Sequence, residues 1–327
     1  MAASSSKQKK VKFVDPPQSP PLVPVEQTKG TNGLDKVILR VPSGFTTEVY
    51  FMGGQVTSWK NEVGQELLFL SKKAIFKPPK AIRGGIPIIF PQFRNLGTAT
   101  PHGFARNRIF KIDPYPTLPP TSSKADLDLL LTPHEDDMKY WPFRFEIRLR
   151  VSLGLNGKLT MKVRIRNIDA KPFKFTFAFH NYFNVSDVGE VRVEGLETQY
   201  YFNDTMNKER LTDQGDSIVF DEEVDKIFIE TPDKICILDH ESKRTFVIIK
   251  EGLPDVAVLN PWEKRAKAIP DLDNKEYRKF VCVVPARIEN SITLKPNMEW
   301  TGMQELRAVP STCYSGLLDP HSPVRND

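Results

Sequence analysis

Cysteine is scarce in this chain. Cys236, Cys282 and Cys313 are spread over 327 positions with no CxxC spacing. An odd, dispersed set argues against a disulfide framework or a structural zinc site and fits a reducing compartment. Long apolar runs are also missing. None approaches the roughly 20 residues that a membrane-spanning helix needs, so an integral membrane protein is not expected. Glycine is outnumbered, 18 against 27 prolines. That much proline argues against long helices, whose interiors proline breaks. The signatures GxGxxG, GxxxxGK[ST], HExxH and GxSxG are absent, which removes several common nucleotide, metalloprotease and hydrolase chemistries. Five histidines are too scattered for a metal site.

A strong excess of one charge sign is missing from most of the chain. The net charge is +5, but Lys7, Lys9, Lys10 and Lys12 against Asp15 place +3 of it (four minus one) before residue 25. The remainder, +2, gives no reason to expect a nucleic-acid partner. Residues 1–24 are Ser/Lys-rich, then Pro-rich, and read as a disordered leader. They lack the apolar core of a secretory signal. They are Ser-rich and acid-poor, like an organellar transit peptide, but contain no Arg. A cytoplasmic location is the expectation, with a plastid address as the alternative. The length suits one large domain or two ordinary ones. No linker composition follows residue 30, so residues 25–327 are expected to form one domain, by default monomeric.

What the chain does have is a period of two. Phe145, Ile147, Leu149, Val151 and Leu153 alternate with polar residues, as do Leu159, Met161, Val163 and Ile165. Between them lies Asn156-Gly157, a strong hairpin turn signal. This predicts an antiparallel hairpin with one buried face. Phe173, Phe175, Phe177 and Phe179 continue the alternation, with Lys174, Thr176, Ala178 and His180 opposite. Further strands are expected at 191–193, 227–230, 235–238, 245–249, 256–259, 280–284 and 292–294. The fold class is mostly β, an antiparallel sandwich or barrel.

Four stretches carry candidate chemistry. In Lys77–Pro87, a Gly84-Gly85 pair allows close backbone approach to a ligand, and Lys77, Lys80 and Arg83 suit an anion. His102 and Arg106 sit four apart on a Gly-containing loop. His180 ends the Phe-rich strand, where a ring beside apolar surface can serve as a general acid. Trp262 follows a strand, with packing and sugar stacking both open.

Together, several segments resemble the hexose-6-phosphate mutarotase branch of the aldose 1-epimerases, the glucose-6-phosphate 1-epimerases, and most of all its plant members. They include AIFKPPKAIRGGIPIIFPQF, HGFARN, FAFHNYFNVSD, VRVEGLE, NPWEKRAKAIPD and ENSITLKP. The resemblance runs from about Thr31 to Pro320. It implies a galactose mutarotase-like β-supersandwich and interconversion of the α and β anomers of a hexose 6-phosphate, glucose 6-phosphate first, without cofactor or metal. It implies His180 as catalytic acid, His102 as a second ring-contacting histidine, Arg83 and Arg106 as phosphate-binding residues and Asp225 as a hydroxyl acceptor. Two positions depart from the pattern. Pro101 stands where the family usually has a substrate-binding Gln. Val284 stands where a strand-end Glu would be the catalytic base. Glu289, five residues on, has an odd offset that puts it on the other strand face. The departures keep two alternatives open: a non-catalytic sugar-phosphate-binding or interaction protein on this fold, and an epimerase for another hexose derivative.

Overall fold

The computed structural model describes residues 24–116, 123–203, 209–212 and 215–311. The expected leader, apart from Pro24, and Cys313 lie outside them. Among the described residues the strands form one four-stranded and two eight-stranded sheets, and every strand pairing is antiparallel. Among the described residues α-helix is confined to Glu135–Met138 and Trp262–Ala266.

The predicted hairpin forms from Phe145–Gly154 and Leu159–Asn167, whose registers run from Phe145 opposite Asn167 to Leu153 opposite Leu159. Gly157 supplies the positive φ of its turn (φ 76), a conformation glycine adopts without Cβ strain. The inward residues of this hairpin join a core cluster that draws on residues from Val37 to Leu306. Burying this much apolar surface is the main favourable term in folding.

The other eight-stranded sheet positions the site. Its order is Arg210–Thr212, Tyr200–Asn203, Val224–Phe228, Asp255–Asn260, Phe280–Leu294, Phe173–Phe179 and Ile88–Ile89, with Asn181–Asn184 also pairing with Phe280–Leu294. Both faces of Phe173–Phe179 are buried except at Lys174. Its phenylalanines enter the main core, while Ala178 joins a second cluster with Cys282, Val284 and Ala286.

The segments expected as separate strands at 280–284 and 292–294 are one strand, Phe280–Leu294. Pro285 lies inside it, although proline lacks the N–H a central ladder uses. The register explains this. On one side, pairing with Asn181–Asn184 ends at Val283 and pairing with Phe173–Phe179 begins at Ala286. Pro285 falls between the two neighbours, where no donor is needed.

Candidate active site

Ile88–Ile89 and Phe280–Leu294 hold the end of Phe173–Phe179 from both sides, and the next residue, His180, donates its backbone N–H to Pro87 O at 3.0 Å. Its side chain is 9 % exposed and lines a cavity of about 150 Å³. The cavity is also lined by Arg83, His102 and Asp225, three of the other residues singled out in the sequence. Asp225 reaches it from Val224–Phe228, and His102 from the loop that follows Ile88–Ile89. Gly103 belongs to the same loop (φ 70). A Cβ there would lie 2.0 Å from Phe90 O, so the loop can cross the strand end only with glycine.

The rings are tightly arranged. His180 stacks on Tyr182, with centroids 4.7 Å apart and planes 8° from parallel. The His102 centroid lies 6.1 Å from that of His180. The backbone N–H of Arg94 donates to His102 Nδ1 at 3.3 Å. In the neutral ring this leaves the proton on Nε2, so His102 is a hydrogen-bond donor at its other nitrogen.

Each carboxylate around the cavity is already engaged. Asp271 accepts from Arg83 Nε at 3.1 Å, and Arg83 Nη1 donates to the Tyr182 hydroxyl at 3.2 Å. Asp225 Oδ1 pairs with Arg94, and Oδ2 accepts from Arg265 Nη1 at 3.0 Å. Arg265 also reaches Glu223 at 2.8 Å. Arg106 differs. Among the described residues no carboxylate pairs with it; Nη2 donates to Pro101 O at 2.8 Å, and Nε is buried without a hydrogen-bond partner. Beside the cavity, among the described residues, one guanidinium thus has no ion-pair partner of its own and suits an anion.

This charge distribution sets the protonation states. His180 is held well below the ordinary imidazole value, first by burial and then by the fields of His102, Arg83, Arg106 and Arg94. His102 is pushed down to about 3 by burial, then Arg106, Arg94 and Arg83. Both rings are neutral at pH 7, each with one donor and one acceptor nitrogen. Arg83 is raised, chiefly by Tyr182 and then by Asp271 against the effect of burial. Burial pushes the Cys282 thiol well up, so this cavity-lining cysteine is no thiolate.

The structure also redistributes some sequence candidates. Lys77 and Lys80 are exposed and do not line the cavity. The Gly84-Gly85 pair serves the chain, not a ligand. A Cβ on Gly84 would lie 2.4 Å from Phe69 O, and one on Gly85 would lie 2.2 Å from Val56 O. Trp262 packs against the core and Tyr277, centroids 5.4 Å apart, rather than lining the cavity. Arg106 is not on the cavity wall but close enough for its charge to act on both histidines. Arg94, Tyr182, Arg265 and Asp271 were not singled out from sequence. The last two lie in the quoted segment NPWEKRAKAIPD, but nothing local reveals their partners.

The architecture agrees with comparison to known proteins. The family model of aldose 1-epimerase matches residues 35–307. The chain belongs to the aldose 1-epimerase family. A relative from Cenchrus ciliaris, named "Putative glucose-6-phosphate 1-epimerase", is 56% identical over 299 residues, covering 90% of this chain and 91% of that protein. A relative of the same name from Escherichia coli K12 is 28% identical over 268 residues, 80% and 86% of the two chains. The crystal structure of a "putative mutarotase" from Salmonella typhimurium superposes with a TM-score of 0.78 at 23% identity, covering 90% of this chain and 97% of that one. The fold is galactose mutarotase-like, as the resemblance implied.

Within this aldose 1-epimerase fold the two departures have definite places. Val284 is fully buried on the face of Phe280–Leu294 that carries Phe280 and Cys282 to the cavity, one alternation beyond Cys282. Its side chain takes no proton. Glu289 ion-pairs with Arg210 and lines a neighbouring groove, not the cavity. Pro101 is exposed and contributes a backbone carbonyl to Arg106.

Proposed function

We propose that the protein interconverts the α and β anomers of a hexose 6-phosphate, glucose 6-phosphate first among them. One observation carries the reading: two neutral histidines, Arg83 and Asp225 converge on one cavity beside the carboxylate-free Arg106. Arg83 and Arg106 bind the phosphate, Asp225 receives sugar hydroxyls, and the Nε2–H of His102 donates to a ring substituent. Anomerisation breaks C1–O5, converts C1–O1–H to C1=O1 and places a proton on O5. His180 delivers that proton. A phosphate dianion at the arginines opposes the positive field that adds to burial in holding His180 neutral, so substrate binding itself readies the acid.

With Val284 inert, the proton acceptors on the cavity wall are Asp225 and His180 itself. O1 and O5 are both bonded to C1, so one imidazole can take the proton from one oxygen and return it to the other. The chemistry draws on no cofactor. A specific observation favours a second reading, a sugar-phosphate-binding protein without turnover: the one carboxylate among the described cavity-lining residues, Asp225, is held by two guanidiniums. A coupled assay that consumes one anomer of glucose 6-phosphate separates the two. The enzyme reading expects faster anomer supply with wild-type protein and loss of that effect in Arg83→Ala. Tight binding with no acceleration selects the second.

A further inference from the structure

Arg94 lines two cavities at once. One is the 150 Å³ catalytic cavity and the other a neighbouring groove of about 640 Å³, and no other described residue lines both. The catalytic cavity alone is smaller than the roughly 300–1,000 Å³ of most small-molecule sites, whereas the groove falls within that range. The groove has apolar and aromatic walls, Phe93, Leu96, Phe202, Ile227 and Ile288, with Glu289 at its side. Apolar surface with a few polar groups is the make-up of a ligand site.

The wall between them is fixed from several directions. The backbone of Arg94 donates to His102 Nδ1 and accepts from Gln92 Nε2 at 2.9 Å and from His102 N–H at 3.0 Å. Its φ is +50, a region that non-glycine residues seldom occupy. Its guanidinium pairs with the buried Asp225 and lies 5.4 Å from the Phe93 ring centroid. A large residue pinned in this backbone conformation, with its head tied across the cleft, is a built partition.

We infer that Arg94 is a specificity-determining residue: it closes the catalytic cavity on the Asp225 side and limits the substrate to a single hexose phosphate. The groove beyond is a latent subsite for a second sugar. This inference rests on the proposed reading, in which the phosphate lies toward Arg83 and Arg106 and the hydroxyls lie toward Asp225. A sugar joined through one of those hydroxyls would have to pass Arg94.

The test compares dissociation constants, by titration calorimetry, for glucose 6-phosphate and for maltose phosphorylated on O6 of its reducing ring. Arg94→Gly is the main variant, because glycine adopts positive φ freely and keeps the loop path. Arg94→Asn, also tolerated there, repeats the test if the glycine variant folds poorly. Arg94→Lys keeps a long cationic side chain. Wild type is expected to bind the disaccharide phosphate at least tenfold more weakly than glucose 6-phosphate. That ratio should fall at least tenfold in Arg94→Gly or Arg94→Asn and stay near wild type in Arg94→Lys. Equal binding of both ligands by wild type, or an unchanged ratio in a folded glycine or asparagine variant, overturns the partition alone. No binding of glucose 6-phosphate by wild type overturns the hexose-phosphate reading and this inference with it.

Discussion

Tyr182 lies flat against His180, and its hydroxyl accepts a hydrogen bond from Arg83. One side chain therefore joins the expected acid to an expected phosphate ligand. Tyr182→Phe keeps the stacked ring and removes the hydroxyl. Arg83 retains Asp271, so the loss should sit near the low end of the 1–3 kcal/mol for a broken charged contact. KM for glucose 6-phosphate is expected to rise about tenfold with kcat within a few-fold. A collapse of kcat at constant KM would show that the hydroxyl acts in the chemistry instead.

Arg106 gives a prediction of opposite signs. Its buried Nε lacks a partner, and burial pushes its pKa down. Arg106→Met removes a half-buried guanidinium whose Nε has no hydrogen-bond partner, relieving the cost of an unmade hydrogen bond, about 1 kcal/mol, while removing an anion ligand. Thermal unfolding should shift upward as glucose 6-phosphate affinity falls by at least tenfold. A lowered Tm with unchanged affinity would place Arg106 in the scaffold and outside the site.

The histidines give a pH dependence. Their folded pKa values lie below the unfolded value of about 6.5, with His102 at about 3. Between these values the unfolded state binds more protons, so stability rises with pH. Their contribution is fully present above about pH 6.5 and is lost as pH falls toward 3, by up to about 1.4 kcal/mol per unit for each responding ring. Denaturant titrations across pH 4–7 should show that slope, and His102→Gln should reduce it. Imidazole ¹⁵N shifts should report both rings neutral at pH 6. Inorganic phosphate should move the His180 titration upward. A charged His180 in the free protein at pH 6 would contradict the electrostatic account.

Val284→Glu restores a carboxylate on the strand face that reaches the cavity. A positioned acid or base contributes about 10²–10⁴ in rate, so a gain of at least tenfold in kcat is expected. Burying the carboxylate costs stability, reduced by the nearby guanidiniums. Unchanged kcat in a folded variant would mean that Asp225 or His180 already supplies the acceptor.

Much of this was written in local patterns. Strict alternation about Asn156-Gly157 specifies the hairpin because strand faces and turn conformation are both short-range properties. Arg83, His102 and His180 were legible as parts of quoted motifs, and Asp225 only through the family resemblance. Other features depend on closure of the fold. Arg94 meets Asp225 across 131 positions, and Arg83 meets Asp271 across 188. No spacing rule announces such partners. The Gly84-Gly85 pair marks close approach in either case, and only the neighbouring backbone showed that a strand, not a ligand, is what approaches. The strands expected at 280–284 and 292–294 are one, because the switch of neighbours that accommodates Pro285 is a property of the assembled sheet.

The central claim is that His180 moves the proton in hexose-phosphate anomerisation. It is tested most directly by two-dimensional exchange NMR on glucose 6-phosphate, with wild type and His180→Ala at matched concentration. The account predicts cross-peaks between the α and β anomeric protons with wild type, far above the buffer rate, and their return to that rate in His180→Ala, which still binds the sugar phosphate. Exchange that persists undiminished in His180→Ala, or wild type that binds glucose 6-phosphate without accelerating exchange, would contradict it.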